Sequence, residues 1–382
     1  MKKVVIMLIT VCVLCSSFLA CSKKEVNVDK PVTGIDPIFS EYVGYYNESP
    51  TLIEEDGARF VFYGRNTVKN DKDTASIAVR KGVKTENAYE YSHYATVLEK
   101  GKEGAWDSVD IKQPTVVKGD FVYSGKHYEY LMAYSGTDKG DRTDYQIGFA
   151  VSNSLTSKFT KVGNEPMVSY DSDDYMLDVT RTEGLVEPSF VSYDKSSKVY
   201  LFFTIYRPTA AHLGKCMELD LSGDLNQMSS KKADLCLTVT SFGIEENTTY
   251  SYIAGGDYAY VRNSDEFVVV RESLPKATEV PYTSTSVCVV RGNAYDVLYK
   301  VGKVEGWADI SGAIDSFKTS SIDEEGKFDG YSRIYAGCLL KDAYGDLIVN
   351  NNKITVLITS KCTAEVENYD FTSQIHEVET SL

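Results

Sequence analysis

The chain lacks several of the motifs that mark common classes of enzyme. After the first twenty residues there is no uncharged run long enough to cross a bilayer. No GxSxG elbow is present, and no helix follows a strand to hold a nucleophilic serine. Phosphate loops and dinucleotide fingerprints are missing too, which disfavours nucleotide chemistry. No cysteine spacing makes a CxxC pair, and His93, His127, His212 and His376 form no HxH or HxxxH pair, so no zinc site is indicated. Positive charge is scarce: 40 Lys and Arg stand against 55 Asp and Glu, a net charge of −15. Nucleic acid and anionic lipid headgroups both require a basic surface and are poor partners for such a chain. A neutral or weakly charged ligand is the easier expectation. Long helical periodicity is also absent.

At the N-terminus, Lys2 and Lys3 precede an uncharged run from Val4 to Leu19 that ends in "FLAC" before "SKKE", the pattern of a secretory signal. Ala20 before Cys21 resembles the bacterial lipoprotein signal, whose cysteine is acylated and becomes the first residue of the mature chain. Phe18 stands where that pattern prefers Leu. Ser22 rather than Asp follows the cysteine, which by the enterobacterial rule favours the outer membrane. An ordinary signal with a fortuitous cysteine is the alternative. The expected organisation is a signal over 1–20, a polar tether with two prolines over 21–38, and one folded body over 39–382 held to the membrane through lipid alone. Three of the eight cysteines fall in or at the signal. Cys216, Cys236, Cys288, Cys338 and Cys362 remain; a Cys216–Cys236 disulfide and buried free thiols are both open.

The remainder reads as strand. Tyrosine occurs 28 times, and short β-branched or aromatic runs such as "ARFVFYG", "HYEYLMAYSG", "KVYLFFTIYR", "EFVVVRES", "YDVLYKVG" and "KITVLITSK" are each bounded by turn residues. A longer pattern repeats. "ESPTLIEEDGARFVFYGR" from Glu48, "KQPTVVKGDFVYSGKHYEYLMAYSG" from Lys112 and "VEPSFVSYDKSSKVYLFFTIYR" from Val186 each run Pro, small hydroxyl residue, apolar pair, polar turn, aromatic strand. Pro50, Pro114 and Pro188 are 64 and 74 residues apart. Weaker copies begin at Ile253 and Ile334, and "ASIAVRKG", "YQIGFAVSNS" and "TSVCVVRG" serve as third strands. Five units of about 65 to 80 residues with three or four strands each predict an all-β, five-bladed β-propeller. A single four-stranded sheet cannot bury both faces, so blades stack around an axis. Proline is expected at the head of each innermost strand, where no ladder hydrogen bond is needed. A pair of β-sandwiches is the alternative.

"WDSVDIKQPTVV", "YLMAYSG" and "YQIGFAVSNSLTSKFTKVGNEPMV" resemble the five-bladed glycosidase superfamily that includes the family 43 arabinanases and xylosidases, the fructosidase-type enzymes and the mannoside phosphorylases. The second unit carries the resemblance best. It implies carboxyl groups at the inner-strand heads, pointing into a central funnel where a glycosidic bond is cleaved between two of them. This chain departs from the pattern: Ser49 stands before the first-blade proline and Gln113 before the second. Glu187 keeps the acid in the third blade, where the resemblance implies a general acid; a turn carboxylate capping a backbone amide is the other reading. Glu48, Asp110 and Asp257 are the candidates for the second carboxylate. Because successive strand residues alternate faces, Glu48 and Ser49 cannot both face the funnel along a regular strand. The glycines of "AGGD" would let the backbone approach a ligand at Asp257 and also suit a blade-to-blade turn.

Gln113, Glu183, Arg207, Arg333, Tyr335 and Trp106 are candidate substrate-binding residues. The arginines could clamp a carboxylate or hydroxyl or end in surface ion pairs. Tyr335 and Trp106, with Tyr45, Tyr46 and Tyr206, could floor a sugar site or simply pack. No cofactor is required. "DSDDYMLD" (171–178) and "DKGDRTD" (138–144) invite calcium but also suit solvated acidic loops. The expected partner is an oligo- or polysaccharide, with no nucleic acid. Three functions stay open: a lipid-anchored exported glycoside hydrolase, a surface glycan-binding lipoprotein, and a docking or assembly lipoprotein. Two carboxyl groups facing one another across the funnel would separate the first from the second.

Overall fold

The computed structural model describes residues 38, 45–69, 72–86, 88–169, 184–206, 213–228, 231–232, 237–239, 256–273, 286–299, 308–309, 333–361 and 373–381. The strand-forming runs assemble blade by blade. Blade 1 comprises β1 (Tyr45–Glu55), β2 (Ala58–Lys69), β3 (Lys72–Lys84), β4 (Tyr89–Tyr91) and β5 (Ala95–Glu99). Blade 2 holds β6 (Asp110–Tyr123), β7 (Lys126–Thr137), β8 (Gln146–Ser152), β9 (Thr160–Lys161) and β10 (Val168–Ser169). Blade 3 follows with β11 (Gly184–Ser192), β12 (Lys198–Tyr206), β13 (Leu213–Asp220) and, after β14 (Lys231–Lys232) on the edge of blade 2, β15 (Leu237–Val239). Blade 4 is β16 (Asp257–Val261), β17 (Glu266–Ser273), β18 (Ser286–Asn293) and β19 (Ala308–Asp309). Blade 5 is β20 (Arg333–Asp342), β21 (Val349–Asn350), β22 (Lys353–Lys361) and β23 (Ser373–Ser381).

Strand alternation puts side chains on both faces of a blade, and both faces are buried. Leu201 and Phe203 of β12 enter the apolar layer between blades 2 and 3, whereas Phe202 enters the layer between blades 3 and 4. Phe62 and Met132 fill the layer between blades 1 and 2, and Val268 and Val356 the layer between blades 4 and 5. A fifth layer, with Leu52, Val61, Leu340 and Leu357, lies between blade 5 and blade 1. The ring therefore closes on itself, and β1 also pairs in parallel with β20 through Leu52 and Leu340. Burying each such side chain contributes about 1.5–3 kcal/mol.

Two sequence expectations change. "YDVLYKVG" does not begin as a strand: Ala294–Tyr299 forms the short helix α1. The Asn293 side chain accepts from the Tyr295 N–H at its start, and Ala294, Val297 and Leu298 share one buried face against Phe267, a helical spacing that overrides local strand preference. The prolines, expected at strand heads, lie inside the long strands β1, β6 and β11. Each sits in a bulge where the register skips from Glu48 to Thr51, Lys112 to Thr115 and Val186 to Ser189; β20 repeats the skip from Tyr335 to Cys338. The bulged residues leave the ladder, which is why proline costs nothing there.

The hydroxyl after each proline ties its blade to the next. Thr51 Oγ1 donates to the Pro114 carbonyl at 2.6 Å. Thr115 Oγ1 accepts from the Phe190 N–H at 3.0 Å. Ser189 Oγ accepts from the Tyr258 N–H at 3.0 Å and donates to Asp257 Oδ1 at 2.7 Å. In blade 4 the tie is Asp257 itself, which accepts from the Leu339 N–H at 2.9 Å and from Lys341 Nζ at 2.5 Å. The buried Cys338 thiol of blade 5 lies against the Leu52 N–H, with burial pushing its proton affinity well up. Cys216 is likewise a buried thiol. Lys341 is only 2% exposed, so its charge is compensated by Asp257 and the Tyr258 carbonyl.

Lys341→Met should destabilise the fold by about 3–5 kcal/mol, because it leaves the Asp257 charge buried without its cation. Equilibrium denaturation with urea checks this; a loss below about 1 kcal/mol would remove the ion pair from the list of structural ties.

Candidate functional site

The bulges that interrupt the inner strands also build the site. At each, one residue turns into the left-handed region: Ser49 (φ 52°), Gln113 (φ 55°), Glu187 (φ 58°) and Ala336 (φ 46°). None is glycine, and each conformation costs on the order of 1–3 kcal/mol, held by the surrounding ring. These residues and their followers converge on one open funnel of about 320 Å³. Its floor is made by Ser49 and Pro50, Gln113 and Pro114, Glu187 and Pro188, Gly256 and Asp257, and Ala336 and Gly337, one pair from every blade. The volume lies at the lower end of the range for small-ligand sites.

Two carboxylates share this floor. Glu187 is half-buried, and its backbone N–H donates to Gln113 Oε1 at 3.0 Å across the blade boundary. Asp257 is buried, and both of its oxygens are occupied by the cross-blade ties described above. It meets the funnel as a structural carboxylate already compensated by Lys341.

Glu48 and Asp110 belong to a second group beside the floor. The strand parity expected for Glu48 does not apply, because β1 starts at Tyr45 and the bulge breaks alternation between Glu48 and Thr51. Glu48 Oε2 accepts from the Tyr335 hydroxyl at 2.9 Å, and that hydroxyl also lies 3.2 Å from Ser373 Oγ. Asp110, 2% exposed, accepts from the Tyr145 hydroxyl at 2.5 Å through Oδ2, and the Asn66 side chain also supports its carboxylate. Burial holds the Asp110 carboxyl above the usual carboxylate range and Glu48 adds to this; Lys112 and the Tyr145 hydroxyl pull the other way. Burial and Asp110 together push the Tyr145 phenol far up, so Tyr145 stays protonated as the donor. Lys112 Nζ sits 3.9 Å from the Tyr145 ring centroid. Tyr145 and Lys112 were not legible as site residues: one is a lone tyrosine among many, and the other reads as an ordinary surface lysine.

Trp106 goes elsewhere. Its indole stacks on Tyr134 at 5.7 Å and lies over Gly136 and Gly148, where an added Cβ would come within 2.9 and 2.6 Å of the ring. Asp107 beside it is buried and accepts from Tyr134 at 3.0 Å and Lys161 at 2.5 Å. The phrases "WD", "YSG" and "IGFA" are therefore one packing unit of blade 2. Arg333 begins β20; Glu183, Arg207 and Cys21 lie outside the described residues, as do the 171–178 acidic run, Cys236 and His212. In the 138–144 loop, Asp138 pairs with Lys139 and Asp141 accepts from Thr143. Among the described residues no group of three or more His, Cys, Asp or Glu is placed to hold a metal ion. His127 pairs with exposed Asp120, His93 lies against the Tyr94 ring in a tilted pair, and His376 is buried.

No protein-family model matches the chain, and no curated protein does. Solved structures do. An α-L-arabinofuranosidase from Podospora anserina, in complex with cellotriose, is 11% identical over 91% of this chain and 95% of its own, with a TM-score of 0.51. A family 62 hydrolase in complex with xylotriose is 11% identical over 90% of this chain and 95% of its own, at 0.53. A thermostable family 43 glycoside hydrolase is 12% identical over 89% of this chain and 92% of its own, at 0.50. At such identity the likeness is one of fold: the chain has the five-bladed architecture of the propeller glycosidases.

Asp110 yields a pH prediction. Its folded-state proton affinity exceeds that of the unfolded chain, so above both values it weakens the fold, and this penalty fades as pH falls through the raised value. Asp110→Asn should therefore melt higher than wild type at neutral pH, with the advantage shrinking on acidification. Melting curves at stepped pH test this; a constant difference between the two proteins would exclude the assignment.

Proposed function

We propose that this protein is an exported, lipid-anchored carbohydrate-active propeller, a glycoside hydrolase acting on oligo- or polysaccharide in the axial funnel. The observation that carries this reading is Glu187. It keeps a carboxyl-bearing side chain in the strained bulge conformation at the funnel floor, where the other bulged residues are Ser49, Gln113 and Ala336. Strain retained at a pocket is a mark of function. In this reading Glu187 gives its proton to the leaving oxygen as the glycosidic bond breaks. Asp257 is too fully engaged to serve as base, so that role falls to Glu48, hydrogen-bonded to Tyr335, or to its neighbour Asp110. Solved proteins of this fold that bind cellotriose and xylotriose support carbohydrate as the ligand class. The signal over 1–20 and acylation at Cys21 would keep the propeller in the cell envelope.

Ser49 and Gln113 favour a second reading, a glycan-binding lipoprotein that does not cleave. They put neutral side chains on the floor where the resemblance calls for carboxylates, and hydrolysis needs two.

Residues 22–382 incubated with arabino- and xylo-oligosaccharides should release sugar, and Glu187→Gln should slow turnover by roughly 10²–10⁴-fold, the usual share of a general acid. Glu48→Gln and Asp110→Asn, run beside it, identify the base. Binding without turnover, equal in wild type and Glu187→Gln by calorimetry, would replace the hydrolase with the binder.

A further inference from the structure

Gln113 is a neutral polar side chain on the funnel floor that bonds across a blade boundary. Its Oε1 accepts from the Glu187 N–H, and a peptide N–H can only donate, so the orientation of the amide is set by that bond. The residue that follows is clamped as well: the Pro114 carbonyl accepts from Thr51, and Thr115 accepts from the Phe190 N–H. Its backbone occupies the left-handed region at φ 55°, a conformation that glycine would adopt more cheaply. A side chain is kept there at a cost to the fold, and its amide nitrogen makes no hydrogen bond to a described residue. Sugar hydroxyl and ring oxygens are acceptors that such a nitrogen suits.

We infer that Gln113 is the positioning residue of this funnel: its carbonyl oxygen fixes the backbone of Glu187 while its amide nitrogen stands as a donor to an acceptor oxygen of the bound sugar. The inference rests on the carbohydrate reading of the same funnel and assigns a role within it. It also gives the replacement of a carboxylate by glutamine a function of its own. A carboxylate at this position would keep the bond to Glu187 but offer no donor and add a charge.

Two variants separate the halves of the role. Gln113→Glu retains an acceptor for the Glu187 N–H and loses the donor, so glycan affinity should fall about tenfold, as KM if the sugar is cleaved, with kcat little changed. Gln113→Gly loses both groups but relieves the backbone strain, so it should melt no lower than wild type while affinity and any kcat fall together. The probes are the arabino- and xylo-oligosaccharides that the wild-type protein binds, followed by calorimetry and initial rates. Wild-type affinity in both variants overturns the inference, and so does a loss of affinity that merely follows a drop in melting temperature. A wild-type protein that binds no glycan in the panel removes the carbohydrate reading itself, a different failure from that of Gln113 alone.

Discussion

The cross-blade ties around the axis are the constraint on which the rest depends. Five blades meet where their innermost strands come closest, and there Thr51, Thr115, Ser189, Asp257 and Cys338 each face backbone or side chain of the next blade. Apolar layers supply most of the stability, but they are tolerant of small slips in position. Directional bonds to named backbone groups are less so. Asp257 shows the cost of using a charge in this place: it requires Lys341, whose ammonium is buried with it. Once these ties fix the strands, the bulges between them have nowhere to relax.

Strain and the shape of the funnel are connected through that rigidity. Four non-glycine residues hold positive φ at equivalent points of the ring, each one position before a proline or glycine. In a looser fold they would return to ordinary strand geometry. Held as they are, they turn their side chains out of the ladder and toward the funnel. The same geometry makes the chemistry legible by subtraction. Asp257 is consumed by structure, Ser49 and Gln113 are neutral, and Glu187 is the other carboxyl group lining the funnel, with Glu48 and Asp110 in the group beside it. The neighbouring group adds a different device, tyrosine hydroxyls donated to carboxylates, which keeps Glu48 and Asp110 in fixed positions beside the floor.

Much of this was readable before any coordinates. The repeat of proline, hydroxyl residue, apolar pair and aromatic strand gave the number of blades because each unit must bury both faces against a neighbour. Glu187, Ser49 and Gln113 were found at the funnel because they precede the repeated prolines. Trp106 was readable as an aromatic beside the site and lies instead on two glycines of its own blade, since a bare tryptophan does not say which surface it covers. Ala294–Tyr299 was hidden because six residues are too few to display a helical period against a strand-rich background.

By itself, the sequence determined the all-β class, the fivefold repeat and the set of acids from which a site could be drawn, since these follow from local pattern and composition. Only the tertiary structure decided that Asp257 has both oxygens tied across blades while Glu187 lines the open funnel half-buried. Asp257 and Glu187 look alike in sequence, each a carboxylate beside a turn residue. What separates them is the presence of Lys341, Leu339 and Ser189 around one and Gln113 against the backbone of the other, and those partners come from blades distant in the chain.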